Sequence, residues 1–186
     1  MAQTLERVET KLLGADEFMA LPLEHIELVR GQVVHLVPPM FAHGMWVSNI
    51  VAALREWARR TGTGRVSTEA SFRLSQNPDV VRAPDVCFVS HDRLEGQNLN
   101  SYIEGAPTLS VEIKSKHETL ESLREKAAEY LQAGGLVVWI VQPGRRKVLV
   151  LSVDEGETTY RVGQSIPGGE TLSGFYLPVA DIFEEF

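Results

Sequence analysis

Cysteine is nearly absent from this chain, with Cys87 the only one among 186 residues. An internal disulfide is therefore excluded, and a lone thiol within an apolar run reads as a small buried hydrophobe, not a nucleophile. Long hydrophobic runs are missing too: the longest, 136–141, is far short of the roughly 20 residues that span a bilayer. Residues 1–11 mix acids and bases around no apolar secretory core, so no export signal is read there. These absences point to a cytoplasmic protein with no membrane partner. Positive charge is also short, since 18 Lys and Arg against 25 Asp and Glu give a formal charge of −7. That balance excludes a protein that coats nucleic acid through bulk electrostatics. It does not exclude a local site, because acids gather where cations bind and a basic path can lie beside them.

What is present is an ordinary globular composition, 44% hydrophobic and 23% charged, with no repeat or low-complexity stretch. The length suits a polar lead-in over 1–14 and a single domain over 15–186. Ala15 to Leu21 reads as a short helical turn stopped by Pro22. Ile26 to Val29 and Gln32 to Val37 flank Arg30-Gly31 as an N-terminal β-hairpin, closed by Pro38-Pro39. Between His43 and Arg60, apolar residues at Val47, Ile50, Val51, Leu54, Trp57 and Ala58 have the spacing of an amphipathic helix. Arg55, Arg59 and Arg60 lie on its polar side, as a solvated face or, in the sharper reading, a phosphate-contacting patch.

Arg65 to Leu74 alternates polar and apolar residues and predicts one half-buried strand. Asp85 to Val89 predicts a short buried strand, and His91 to Gly105 a loop, with or without a helical turn, suited to a mobile flap. Leu109, Val111 and Ile113 alternate with Ser110, Glu112 and Lys114, so a strand here sets Glu112 and Lys114 on one face. A helix follows, started by a capping box at Ser115 and Glu118 or by Thr119, with Leu120, Leu123, Ala127, Tyr130 and Leu131 on its apolar face. The continuous apolar run Leu136 to Val141 predicts a strand covered on both faces. Strand, helix and buried strand make a right-handed crossover with parallel strands. Lys147 to Val153 and Thr158 to Val162 suit a second hairpin, and Val179 to Phe183 a short closing segment.

Two carboxylates and a lysine supply what phosphodiester hydrolysis needs: ligands for a hard cation, a positioned water and a positive group near the developing charge. Asp85 and Glu112, on strands about 4.8 Å apart, suit one or two Mg²⁺ ions, one of them shared, and the Ile113 carbonyl and waters would complete an octahedron at about 2.1 Å. Lys114, about 6.5 Å from Glu112 along the strand, would position the water.

Pro84-Asp85, then Glu112-Ile113-Lys114, then a helix bearing Lys126 and Tyr130 resembles the PD-(D/E)XK nuclease superfamily. Most of the chain, from Ala15 to Phe183, is similar to the Uma2 family of bacterial restriction-endonuclease-like proteins. That similarity runs through Glu27 to Gly31, Pro38-Pro39 with His43, Thr68 to Leu74, Arg82 to Asp85, and Arg124 to Tyr130. The resemblance implies an α/β (α+β) fold, a central mixed β-sheet flanked by helices in an α-β-β-β-α-β core. It also implies Mg²⁺-dependent hydrolysis of nucleic acid, DNA above all, with Mn²⁺ as a substitute, and a homodimer. Many Uma2 members place a hydrophobic residue where the lysine of E-x-K stands and use the helix lysine, so Lys114 and Lys126 both remain candidates.

Each position carries a plainer alternative. Asp85 caps the turn after Pro84, and Pro78-Asp79 is a second P-D pair, although Asp79 sits within a turn. Glu112 and Lys114 suit a surface ion pair of little energetic weight. Glu69 is an outer metal ligand or a surface acid, Glu27 an accessory acid or part of the hairpin's polar edge, and Lys126 a site residue or a snorkelling one. His43 supports the start of its helix. The rival to the nuclease is a catalytically silent scaffold that binds a protein or nucleic-acid partner.

Overall fold

A computed structural model describes residues 11–184, so most of the lead-in expected over 1–14 lies outside the described residues. Three sheets and five α-helices build the mixed α+β architecture expected. The strands are β1 (Ile26–Val29), β2 (Gln32–His35), β3 (Gly64–Ser67), β4 (Phe72–Ser75), β5 (Val80–Arg82), β6 (Val86–Ser90), β7 (Ile103–Glu104), β8 (Leu109–Ile113), β9 (Val137–Gln142), β10 (Lys147–Ser152), β11 (Gly156–Arg161), β12 (Ser165–Pro167) and β13 (Tyr176–Pro178). The helices are α1 (Ala15–Met19), α2 (Phe41–Thr61), α3 (His91–Leu94), α4 (Leu120–Gln132) and α5 (Val179–Ile182).

A six-stranded sheet, β11-β10-β9-β8-β6-β3, is antiparallel except where β8 pairs with β9. That pair is the parallel one the strand-helix-strand pattern requires, and α4 is its crossover. A five-stranded sheet, β2-β1-β5-β4-β7, contains the N-terminal hairpin. Arg30 and Gly31 close that hairpin with φ of 51° and 77°, the sign pattern of a type I′ turn matched to strand twist. The helix α2 stops at Gly62, whose φ of 66° suits a residue without Cβ and lets its N–H cap the Ala58 carbonyl.

The two faces of the six-stranded sheet pack differently. On one, Leu109, Val111, Ile113, Trp139 and Val141 share a core with Ile50, Leu54 and Trp57 of α2 and Ile182 of α5. On the other, Val138, Ile140 and Leu149 pack under Leu123, Ala127 and Tyr130 of α4. Farther along that second face, Cys87 and Val89 meet Phe72 and Ile103 of the five-stranded sheet. The helix α1 packs Ala15 and Phe18 on Leu28 and Val81 of that sheet.

Four expectations change. The alternating stretch from Arg65 to Leu74 is two strands in two sheets, because the chain turns at Glu69, whose φ is 51°. The polar side of β8 is not at the surface: Ser110 is wholly buried and Glu112 is 4% exposed, since α4 covers that face. The helix after β8 begins past Thr119, whose hydroxyl accepts the Ser122 N–H at 3.0 Å, so the Ser115 start gives way to the Thr119 one. The segment over 91–105 has the helical turn allowed for it, α3, but also a strand, β7, and is tied down by Arg93 on the Ala106 and Gly134 carbonyls and by an Arg73–Glu104 ion pair.

Candidate active site

Site geometry begins with the register of β6 against β8. Val86 lies opposite Val111, so one residue earlier Asp85 falls opposite Glu112, and opposed residues point to the same side of a sheet. Instead of a ladder bond, the Asp85 carboxylate takes the Ile113 N–H, accepting it through Oδ2 at 2.6 Å. Its Oδ1 lies 3.2 Å from Nε2 of His43, in the first turn of α2. That hydrogen bond, against the opposing effect of partial burial, raises the His43 pKa, and the charges of Asp85, Glu69 and Glu118 add to it.

Glu112 is reached from α4. Lys126 and Tyr130 stand four residues apart on one helix face, and both bond to the Glu112 carboxylate, Lys126 Nζ at 2.9 Å and Tyr130 OH at 2.8 Å. Lys126 also lies 2.9 Å from the carboxylate of Glu27, on β1, which is only 2% exposed. Glu27 in turn accepts from Arg82 at 2.8 Å and from the Ala83 N–H at 3.2 Å. Arg82 bonds back to Glu129 of α4 at 2.7 Å, closing a chain of charges from β8 through α4, β1 and β5.

In this interior, acids outnumber bases. Burial first, and then the neighbouring charges of Asp85 and Glu27, push the Glu112 carboxyl up to about 7, although Lys126 pulls the other way. Burial also works against the Lys126 ammonium, but Glu112 and Glu27 outweigh it and raise its pKa, so this lysine stays charged. For Glu27 the burial penalty is outweighed by Lys126 and Arg82, and its pKa is lowered.

The sequence candidates thus part company. Asp85, Glu112 and Lys126 come together, with Glu27 and Tyr130 completing the cluster. Lys114 follows the end of β8, half-buried, and its Nζ donates to the Ser115 carbonyl at 3.0 Å. Glu69 is an exposed turn residue whose own N–H donates to the Pro84 carbonyl. Asp79 holds the Ala15 N–H at 2.8 Å, a structural duty at the start of α1. Cys87 is fully buried and its thiol is pushed up to about 12 by that burial, consistent with an inert core residue.

Two members of the cluster have no role assigned from the sequence. Arg82 belongs to a flanking motif only, and Tyr130 is paired with Lys126 in the motif and set on the helix's apolar face without a task of its own. The i, i+4 pairing of Lys126 with Tyr130 is the signal for that task, because a charged and a phenolic group on a buried helix face need a shared acceptor. Nothing local marks Glu27 as buried, since its hairpin is covered only through long-range pairing.

As to metal, the donors are hard oxygens. Among the described residues, no group of three or more His, Cys, Asp or Glu side chains gathers at ligand spacing. Two carboxylates with a backbone carbonyl nevertheless fit a cation such as Mg²⁺, which keeps several waters. Glu112 also gains from a cation, because its ionised form is disfavoured by burial and by two nearby acids.

Comparison with known proteins agrees with this architecture. The model of the family Uma2, described as "Putative restriction endonuclease", matches residues 15–180. No protein of curated function matches significantly. A crystal structure described as a putative nuclease belonging to DUF820 from Anabaena variabilis superposes with a TM-score of 0.79, covering 92% of this chain and 97% of that one. The two are 20% identical in sequence, so the likeness speaks for the fold.

Proposed function

Because the chain belongs to the Uma2 restriction-endonuclease-like family, we propose that it is a nuclease that hydrolyses phosphodiester bonds in DNA with the help of Mg²⁺. The single observation that carries this reading is the convergence of Asp85, just before β6, with Glu112 of β8 and Lys126 of α4 on the sheet face that α4 covers. Asp85 and Glu112 would hold the ion, with the Ile113 carbonyl as a third oxygen. A bound Mg²⁺ supplies neutralisation of phosphate charge and a more acidic water. Lys126, fixed between Glu112 and Glu27, has a third N–H without a partner among the described residues, which would orient the attacking water or hold charge on the phosphate. We assign it this role ahead of Lys114, which bonds to its neighbouring carbonyl. Glu69 is kept as an outer ligand at most.

The domain over 15–186 works, in this reading, in the cytoplasm and as a homodimer. Among the described residues no helix is long and apolar enough to cross a membrane. Incubation of plasmid and of labelled single-stranded DNA with Mg²⁺ or Mn²⁺ tests the activity. Cleavage is expected from the native chain and not from Asp85→Asn, Glu112→Gln or Lys126→Met. Cleavage that survives all three substitutions overturns the site assignment.

A silent nucleic-acid-binding scaffold is the second reading. It is favoured by the protein partners that every carboxylate oxygen of Asp85 and Glu112 already has. Metal binding by calorimetry without cleavage of either DNA would support it.

A further inference from the structure

On the face that carries Glu112, the strand ends continue past the carboxylates in a row that the reading above leaves without a role. Register builds it. The strands β8 and β9 run parallel with Ile113 beside Val141, and the Lys114 N–H donates to the Val141 carbonyl at 2.9 Å, which sets Lys114 beside Gln142. On the next strand Gln142 lies directly opposite Lys147 of β10. Alternation fixes the side: Ile140 and Leu149 pack in the α4 core, so Gln142, two residues on from Ile140, and Lys147, two before Leu149, leave the sheet on that same face. With strands about 4.8 Å apart, Lys114, Gln142 and Lys147 span about 10 Å, beginning two residues past Glu112.

The row consists of donors. The side chain of Lys114 has one hydrogen bond among the described residues, to the Ser115 carbonyl, and Lys147 is half-buried without an acidic partner there. Gln142 is only 4% exposed, yet its Nε2 has no hydrogen-bond partner among the described residues. A buried amide donor left unpaired is a standing penalty that folding alone does not explain. It closes an otherwise apolar strand, at the one end of β9 that meets the site.

We propose that Gln142 and Lys147, together with Lys114, bind the phosphate next to the scissile one in a nucleic-acid strand. Two ammoniums flanking an amide donor match the oxygens of a phosphodiester, which accept hydrogen bonds and carry negative charge. The inference rests on the phosphodiesterase reading of Asp85 and Glu112. It adds a binding function for residues that take no part in bond breaking.

Fluorescence anisotropy of a labelled oligodeoxynucleotide, and of the RNA of the same sequence, measured with EDTA present, tests it without turnover. Gln142→Leu is expected to weaken binding about tenfold, the loss of one charge-assisted hydrogen bond. Its melting temperature should hold or rise, because leucine fills the space of the amide and removes an orphaned donor. Lys147→Ala is expected to weaken binding about fivefold and to lower the log–log salt slope by about 0.7, with Lys147→Arg restoring both. On the oligonucleotide both variants should raise KM and leave kcat in place; on a mononucleotide nitrophenyl ester, which has no neighbouring phosphate, neither should change. Unchanged oligonucleotide affinity in either variant, or no binding by the native chain, overturns the proposal. A native chain that binds through these residues but does not cleave with Mg²⁺ removes the nuclease reading and leaves only the phosphate contact of this row, with no scissile neighbour. Cleavage with native affinity in both variants does the reverse. Weakening with DNA alone or with RNA alone identifies which strand the row holds.

Discussion

Within β8, Val111 and Glu112 are neighbours in sequence and both are buried, yet they belong to opposite kinds of interior. Val111 faces Leu54 and Trp57 of α2 in a dry apolar core. Glu112 faces Lys126 and Tyr130 in a network that runs on through Glu27, Arg82 and Glu129. The apolar face is stabilised by area removed from water and by close packing, and it tolerates apolar residues of similar volume. The charged face has paid the desolvation of several ions and returns little net stability unless every partner is present.

Removal of one ion should show the difference most strongly. Lys126→Met leaves Glu27 and Glu112 buried without their common cation and is expected to cost about 3–5 kcal/mol in urea unfolding. Adding Glu27→Gln and Glu112→Gln to that variant should recover much of the loss, since the uncompensated charges go with them. A truncation on the other face, Leu54→Ala, should cost about 2–5 kcal/mol, and no polar substitution nearby should recover it. If the triple variant stays as unstable as Lys126→Met alone, the two interiors do not differ as described.

The two interiors also respond differently to pH. The Glu112 carboxyl titrates near 7 in the folded chain, above the ordinary value of 4.5 that it has when unfolded. The unfolded state therefore loses its proton first as pH rises. The stability Glu112 contributes is full below about 4.5 and is lost as pH climbs through about 7. The native chain should lose stability relative to Glu112→Gln between about pH 5 and pH 8 in paired urea titrations. A gap that stays constant over that window would show that burial does not hold the proton on Glu112. The smallest effect belongs to the surface, where Arg124 and Glu157 pair at 2.7 Å with both side chains more than 40% exposed. Arg124→Ala should cost less than about 1 kcal/mol, read from the same unfolding curves, because solvent screens the pair.

Much of this was legible from local pattern. The β1–β2 hairpin, the α2 helix, the β8–α4–β9 crossover and the β10–β11 hairpin each follow from periodicity and turn residues within the segment itself. The break at Glu69 was not legible, because alternation from Arg65 to Leu74 is unbroken and only a positive φ, forced by two sheets competing for the chain, divides it. The burial of β8's polar side was also hidden, since alternation separates faces but does not say what covers them. For the same reason Glu112 and Lys114 looked like partners, whereas the carboxylate's ammonium comes from α4, 14 residues on.

By itself, then, the sequence determined which residues share a face of each strand and helix, because side-chain direction follows backbone period. It also placed Asp85, Glu112, Lys114 and Lys126 in an order with the family's resemblance. Tertiary structure alone decided that Glu27 and Arg82, from another sheet, close the ring around Lys126. It also brought Gln142, with Lys147 opposite it in the β9–β10 hairpin, into one row with Lys114. Charge pairing at 2.9 Å between Lys126 and Glu27, and the register of β8 against β9, join segments far apart in the chain, and no local pattern encodes which of them will meet.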